Sequence, residues 1–200
     1  MSGKSALVAE YNSALHKTRF DDLRPLIAAG VTGLAIGRSP PAAARIVVAD
    51  DVFEFDEDAG AAAFVMPVRM ECATIPEAAD PVCTVANGEV VDLVGFHPLH
   101  PDRWALRRGT AEWLGAIEPQ HMGPAAVRIW RSPMAWLRAD CDGLVLLSND
   151  RRDQCRTLSF CSTIIAEDAQ HAIELRRILE LPWSAPPVIV GSREAGRRAA

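Results

Sequence analysis

Lysine is scarce in this 200-residue chain: Lys4 and Lys17 are the only two among 21 basic residues, and Tyr11 is the only tyrosine. The longest uncharged apolar run, Ala61 to Val68, contains Pro67. It falls far short of the ~20 residues that a bilayer-spanning helix needs. No basic start followed by an apolar stretch marks an export signal, so the expected setting is the cytoplasm, without membrane contact. CxxC pairs are also lacking. The five cysteines (Cys72, Cys83, Cys141, Cys155 and Cys161) are odd in number and read as reduced thiols that pack as small apolar side chains. GxSxG, HExxH and GxGxxG do not occur, so the common hydrolase, zinc-protease and dinucleotide signatures are unsupported. Gly3-Lys4-Ser5 resembles the end of a phosphate loop but lacks the upstream glycine and the preceding strand. No internal repeat is found.

What is present describes a soluble globular protein of one average domain or two small ones. The apolar fraction is 49% and the charged fraction 24%, ordinary values for such proteins. The net charge of −5 is unevenly spread: residues 1–100 carry 7 basic against 14 acidic side chains, and residues 101–200 carry 14 against 12. An acidic balance argues against non-specific nucleic-acid binding by the whole chain and leaves room for a local basic face.

Periodicity predicts an α+β part over residues 1–80, helices then short strands, followed by an α/β part over 81–192. Leu7, Tyr11, Ala14 and Leu15 lie on one helical face. Asp21 and Asp22 start a second helix that Gly30 stops. Val31–Ile36, Arg45–Ala49, Val52–Phe55 and Ala62–Met70 read as strands. Asn87-Gly88, between Val82–Val85 and Val90–Phe96, predicts a two-residue hairpin turn. Trp104–Ile117 reads as a helix interrupted near Gly109. Beyond it, strands at Ala126–Trp130, Leu144–Leu147, Thr163–Ala166 and Pro187–Val190 alternate with helices over Met134–Ala139, Arg151–Phe160 and Asp168 to about Leu181. That alternation predicts right-handed crossovers and a mainly parallel C-terminal sheet.

Several constellations carry potential chemistry. Asp150 after one C-terminal strand, and Glu167 and Asp168 after the next, stand where open α/β sheets place ligands. Two or three carboxylates converging there could hold magnesium, a hard cation that prefers oxygen ligands. The plainer reading makes Asp150 and Asp168 helix N-caps, because an aspartate oxygen accepts an orphan backbone N–H. The acidic run Asp50, Asp51, Glu54, Asp56, Glu57 and Asp58 lacks calcium-loop spacing and reads as a strand with Phe53 and Phe55 inward, leading into a solvated turn. His97-Pro98-Leu99-His100 reads as a turn after a strand, not a metal site. Arg128, Arg131, Arg151 and Arg152, accompanied by Trp104, Trp113, Trp130 and Trp136, are the candidates for a nucleic-acid face; the tryptophans read first as core.

The order of elements from Ala126 to Leu181 resembles the Toprim domain of primases and topoisomerases. The motifs are Val127-Arg128-Ile129-Trp130, Gly143-Leu144-Val145-Leu146-Leu147 and Ile164-Ile165-Ala166-Glu167-Asp168, each followed by a helix. The resemblance covers about 55 of the 200 residues. It implies a small parallel α/β sheet that binds magnesium and acts in nucleotidyl transfer or DNA cleavage. The family's signature is a glutamate after the first strand and an Asp-x-Asp after a later one. Arg131-Ser132 stands where the glutamate belongs, and Ala166-Glu167-Asp168 stands where the Asp-x-Asp belongs. Only Asp168 matches, with Glu167 as a stand-in, which implies a degenerate member.

Three functional readings follow. The first is a non-catalytic α/β protein, a degenerate Toprim-like accessory of a replication or mobile-element system, with no cofactor. The second is a magnesium-dependent phosphoryl-transfer or nuclease-type enzyme using Asp150, Glu167 and Asp168. The third is an assembly protein whose acidic N-terminal face binds a basic partner. The sequence leaves the partner open between a protein and a nucleic acid.

Overall fold

The computed structural model describes residues 3–70, 88–115, 126–159, 161–180 and 188–190. The protein is a mixed α/β structure with two sheets. Helix α1 (Gly3–Lys17) buries Leu7, Tyr11 and Ala14, the face expected from periodicity. A 3-10 turn (Phe20–Leu23) and a short helix α2 (Arg24–Ala28) follow, and Gly30 closes them at φ 91°. The run Val31–Ile36 is not a strand. Thr32 accepts a hydrogen bond from the Ala35 amide and caps helix α3, Gly33–Arg38. A short apolar run fits either element, and here the capping threonine decides.

Strands β1 (Ala42–Ala49), β2 (Val52–Phe55), β3 (Ala61–Met70), β4 (Glu89–His97) and β5 (His100–Leu106) close into a barrel in the order β1-β2-β5-β4-β3. All neighbours are antiparallel except β2 and β5, which meet in parallel at Val52 and Leu106. The interior holds Ile46, Phe53, Val65 and Leu93, and α1 covers it with Leu7 and Tyr11. Space inside is short: a Cβ on Gly95 would lie 2.8 Å from Ile46 Cδ1 and 3.2 Å from Phe53 Cδ1. Tyr11 donates from its hydroxyl to Pro40 O at 2.7 Å, and burial pushes its pKa up to about 12. The division near residue 80 does not follow the sheets, because β4 and β5 belong to the same barrel as β1–β3. Long-range pairing of β3 with β4 joins the two parts.

Two expectations fall in this region. Trp104–Ile117 is not helical where described. Trp104–Leu106 end β5, a loop follows, and Trp113–Leu114 form the short strand β6. The loop is pinned by Asp92, a fully buried carboxylate that accepts from the amides of Arg108 (2.9 Å), Thr110 (2.8 Å) and Ala111 (3.3 Å). The expected hairpin at Asn87-Gly88 rests on Val82–Val85 and Asn87, which lie outside the described residues. A tight two-residue turn is seen at Asp50-Asp51, where φ is 51° and 63° between β1 and β2. Positive φ at both positions is the mark of a type I′ hairpin turn.

The second sheet has the order β10-β9-β7-β8-β6. It contains β7 (Ala126–Trp130), β8 (Leu144–Leu146), β9 (Thr163–Ala166) and β10 (Val188–Val190). β7 runs parallel to β8 and β9, β9 runs parallel to β10, and β6 is antiparallel to β8. Helix α4 (Pro133–Arg138) packs on the face toward the barrel: Met134, Trp136 and Leu137 join Phe64, Met66 and Phe96 in one core. Helices α5 (Arg151–Ser159) and α6 (Ala169–Leu179) cover the opposite face, where Leu158, Ala172 and Leu175 pack on Val127, Ile129 and Ile164. Among the described residues no helix is long and apolar enough to cross a membrane.

Candidate functional site

The chain leaves β7 for α4 on one sheet face and leaves β9 for α6 on the other. β7 and β9 are neighbours. Their carboxyl ends therefore flank a topological switch point, the place where open α/β sheets form a crevice for ligands. Arg131 follows β7, and Glu167 and Asp168 follow β9.

An ion network fills this position. Arg131 donates from Nη1 to Asp168 Oδ2 at 2.6 Å and from Nη2 to Asp168 Oδ1 at 3.1 Å. Its Nε and Nη2 each lie 3.4 Å from Glu174 Oε2. The Arg131 backbone amide donates to Glu167 Oε1. One arginine thus answers three carboxylates, Asp168 and Glu174 through its guanidinium and Glu167 through its backbone amide. The guanidinium beside Asp168, helped by a hydrogen bond from the His171 amide, holds the Asp168 carboxyl well below the usual carboxylate range. The same pairing raises the Arg131 pKa. Asp168 also caps α6, its Oδ1 accepting from the His171 amide at 2.8 Å. The backbone donor and the arginine share one carboxylate.

Asp150 is not brought into this group. It follows β8, which β7 separates from β9. Its Oδ1 accepts from the Arg152 amide at 2.6 Å at the start of α5, the arrangement expected of a cap. Among the described residues, no three His, Cys, Asp or Glu side chains are grouped so as to hold a metal ion. Glu167 and Asp168 remain neighbours, but their oxygens already answer Arg131.

The four candidate arginines serve separate ends. Arg128 stacks over the Trp130 ring, its guanidinium carbon 5.3 Å from the ring centroid. Arg131 belongs to the crevice network. Arg151 donates to Arg177 O, and Arg152 is exposed on α5. Of the tryptophans, Trp136 is buried in the core and donates to Gly143 O at 3.0 Å, and Trp130 donates to Asp142 O at 2.6 Å. Cys141, Cys155 and Cys161 are buried free thiols, and burial pushes Cys141 up to about 12 and Cys161 up to about 11. Cys72 and Cys83 lie outside the described residues. His97 and His100 end β4 and begin β5, their rings 5.0 Å apart across the turn. In the acidic run, Phe53 is buried and Phe55 half-buried, and Asp56 Oδ1 accepts from the Asp58 and Ala59 amides in the turn that follows.

Two crevice residues were missed from sequence. His171 is buried at the first turn of α6, and its Nδ1 accepts from the Glu167 amide at 3.3 Å. Burial depresses its pKa to about 4, so it stays neutral near pH 7. Glu174 is the second. Both lie at helical spacing from the Asp168 cap, at the third and sixth positions beyond it, and that spacing was the available signal. No family model matches the chain, and no curated protein or solved structure is significantly similar to it.

Proposed function

We propose that the protein is a non-catalytic α/β binding scaffold whose switch-point crevice is held by its own ion network. The observation that carries this reading is the Arg131 guanidinium on both oxygens of Asp168. An internal cation does there what a divalent ion does in a carboxylate site, namely neutralise oxygen ligands. The separation of Asp150 from Glu167 and Asp168 by β7 supports the same reading. The strands and helices from Ala126 onward carry the Toprim resemblance, with an arginine where that family has its glutamate. On this reading the scaffold is a degenerate Toprim-like accessory of a replication or mobile-element system, working through a nucleic-acid or protein partner.

Calorimetric magnesium titration of the wild type and Asp168→Asn, together with co-purification from the native host, tests the proposal. The expected result is no magnesium binding tighter than millimolar in either protein, and recovery of a nucleic acid or a nucleic-acid-processing partner. Wild-type binding well below millimolar that Asp168→Asn abolishes would overturn it in favour of a magnesium-dependent phosphoryl-transfer or nuclease-type enzyme.

A further inference from the structure

Helix α1 runs alongside β2, and a groove of about 610 Å³ lies between them. Two ion pairs mark its ends. Arg107 bonds through Nε and Nη2 to the two oxygens of Glu10 at 3.0 Å and 3.2 Å. Lys17 pairs with Glu57 at the other end. Along α1 the distance from Glu10 to Lys17 is roughly 10 Å at the helical rise per residue. About three residues of extended chain cover that length.

The groove exists because β2 loses its second neighbour. β2 meets β5 only at Val52 and Leu106, so beyond that bridge one edge of β2 is left open. The hairpin register says which backbone groups lie on that edge. Ala49 and Val52 flank the two-residue turn, which makes them a hydrogen-bonded pair, and Val47 with Glu54 is the next such pair. The bond from the Asp56 amide to Arg45 O continues the series. Phe53 and Phe55 alternate with these positions, so their N–H and C=O groups point away from β1. Phe53 O is taken on that side by Arg107 Nη1 at 3.4 Å. The N–H and C=O of Phe55 have no hydrogen-bond partner among the described residues. The Phe55 ring packs on the barrel core beside Phe53, their centroids 5.5 Å apart, and lines the groove with Ala14.

We propose that this groove takes an uncharged, extended peptide segment as a strand added to β2. One residue of the segment pairs directly: its N–H donates to Phe55 O, and its C=O accepts from the Phe55 N–H. Exchange of both bonds between two opposed residues is the antiparallel pattern. A parallel strand would need Phe53 O, which Arg107 already uses. Opposed residues put their side chains on one face, so the added side chain falls on the barrel-interior side, against the Phe55 ring and Ala14. An apolar side chain suits that place. Charge decides the flanks. Glu10 with Arg107 and Lys17 with Glu57 already answer each other, so a charged terminus would have to break an ion pair. Strand addition draws its affinity from main-chain hydrogen bonds and its specificity from the side-chain pocket. The site is separate from the crevice, so its failure leaves the reading of Arg131 and Asp168 untouched.

Calorimetric titration with N-acetyl-L-alanyl-L-leucyl-L-alaninamide tests this on the wild type and on Ser13→Trp. Ser13 is exposed on α1 and lines the groove, so an indole there fills the space without entering the core. Thermal melts check that the variant folds. Two further ligands, the same peptide with N-methyl-leucine and the uncapped Ala-Leu-Ala, need no change to the protein. The expected result is wild-type binding of the capped peptide at millimolar concentration or below. Binding should fall about tenfold or more on N-methylation, which removes the donor to Phe55 O and adds bulk at the pairing edge. Ser13→Trp should weaken binding to a similar degree, and the uncapped peptide should bind more weakly than the capped one. Absence of binding by the capped peptide at millimolar concentration would overturn the proposal. So would undiminished binding of the N-methyl form, undiminished binding by Ser13→Trp, or tighter binding of the uncapped peptide.

Discussion

The side chains of Arg131 and Asp168, 37 residues apart in the chain, meet in a two-pronged ion pair with contacts of 2.6 Å and 3.1 Å. Bidentate geometry of this kind is stronger than a single contact and fixes the orientation of both groups. Solvent moderates it, because the side chains are 35% and 54% exposed. Its consequence is positional. The pair joins the loop after β7 to the start of α6 across the switch point, and it does so with the aspartate that also caps α6.

That double duty separates two substitutions. Asp168→Asn keeps an oxygen for the His171 amide and loses only the charge opposite Arg131, whereas Asp168→Ala loses both. Thermal melts at neutral pH should therefore rank wild type, then Asp168→Asn, then Asp168→Ala in decreasing midpoint. Added salt should narrow the gap between wild type and Asp168→Asn, since it screens the ion pair. Equal midpoints for the two variants would mean that the cap contributes nothing. The depressed Asp168 pKa sets the pH sense: the ion pair's contribution is present above the ordinary aspartate pKa and is lost as acid protonates the folded state.

His171 gives a second pH dependence in a different window. Its folded pKa of about 4 lies below the ordinary histidine value of about 6.5, so the unfolded chain binds the extra proton first. Stability is therefore full above about 6.5 and falls as the pH drops from there toward 4. His171→Gln should flatten this part of the profile of melting midpoint against pH. An unchanged slope between pH 6.5 and 4 in the variant would show that another group is responsible.

Asp92 should be the costliest single carboxylate to remove. It is fully buried and holds the loop between β5 and β6 through the amides of Thr110 and Ala111 and the Thr110 hydroxyl. Asp92→Ala strands these donors, and each unsatisfied buried group costs about 1–3 kcal/mol, so a loss of about 3 kcal/mol or more is expected in urea unfolding. Asp92→Asn retains one acceptor oxygen and should lose less. A loss below about 1 kcal/mol for Asp92→Ala would place the anchor of the loop elsewhere.

The parts of this structure that were legible in the sequence are those governed by near neighbours. The buried face of α1, the strands at Val52–Phe55, Ala126–Trp130 and Thr163–Ala166, and the caps Asp150 and Asp168 all follow from local spacing. Barrel closure was not legible, because it depends on β1 pairing with β3 and β2 with β5 across long stretches of chain. The Trp104–Ile117 run misled for the same reason: the buried carboxylate that shapes its loop comes from Asp92 on β4. Arg131 was legible as a cation directly after the Ala126–Trp130 strand. Its ion-pair partners, Asp168 and Glu174, follow only from the neighbouring positions of β7 and β9.

The turn at Asp50-Asp51 offers a stabilising substitution. Both aspartates hold positive φ, at 51° and 63°, a region that side-chain-bearing residues enter at a cost and glycine enters freely. The second position of a type I′ turn is where glycine is most favoured. Asp51→Gly should therefore relieve backbone strain and remove one of two adjacent like charges. Two effects oppose it: the loss of the Asn149 hydrogen bond to Asp51 Oδ2 at 3.2 Å, and the greater freedom of glycine in the unfolded chain. The hydrogen bond is exposed and contributes little, so a net gain of about 0.5 kcal/mol is expected from relieving strain at positive φ. Asp51→Val provides the opposite arm, since a β-branched side chain at φ 63° should destabilise by about 1 kcal/mol or more. Urea unfolding of the three proteins checks the order glycine, aspartate, valine. A valine variant as stable as the wild type would mean that the chain does not hold this turn in solution.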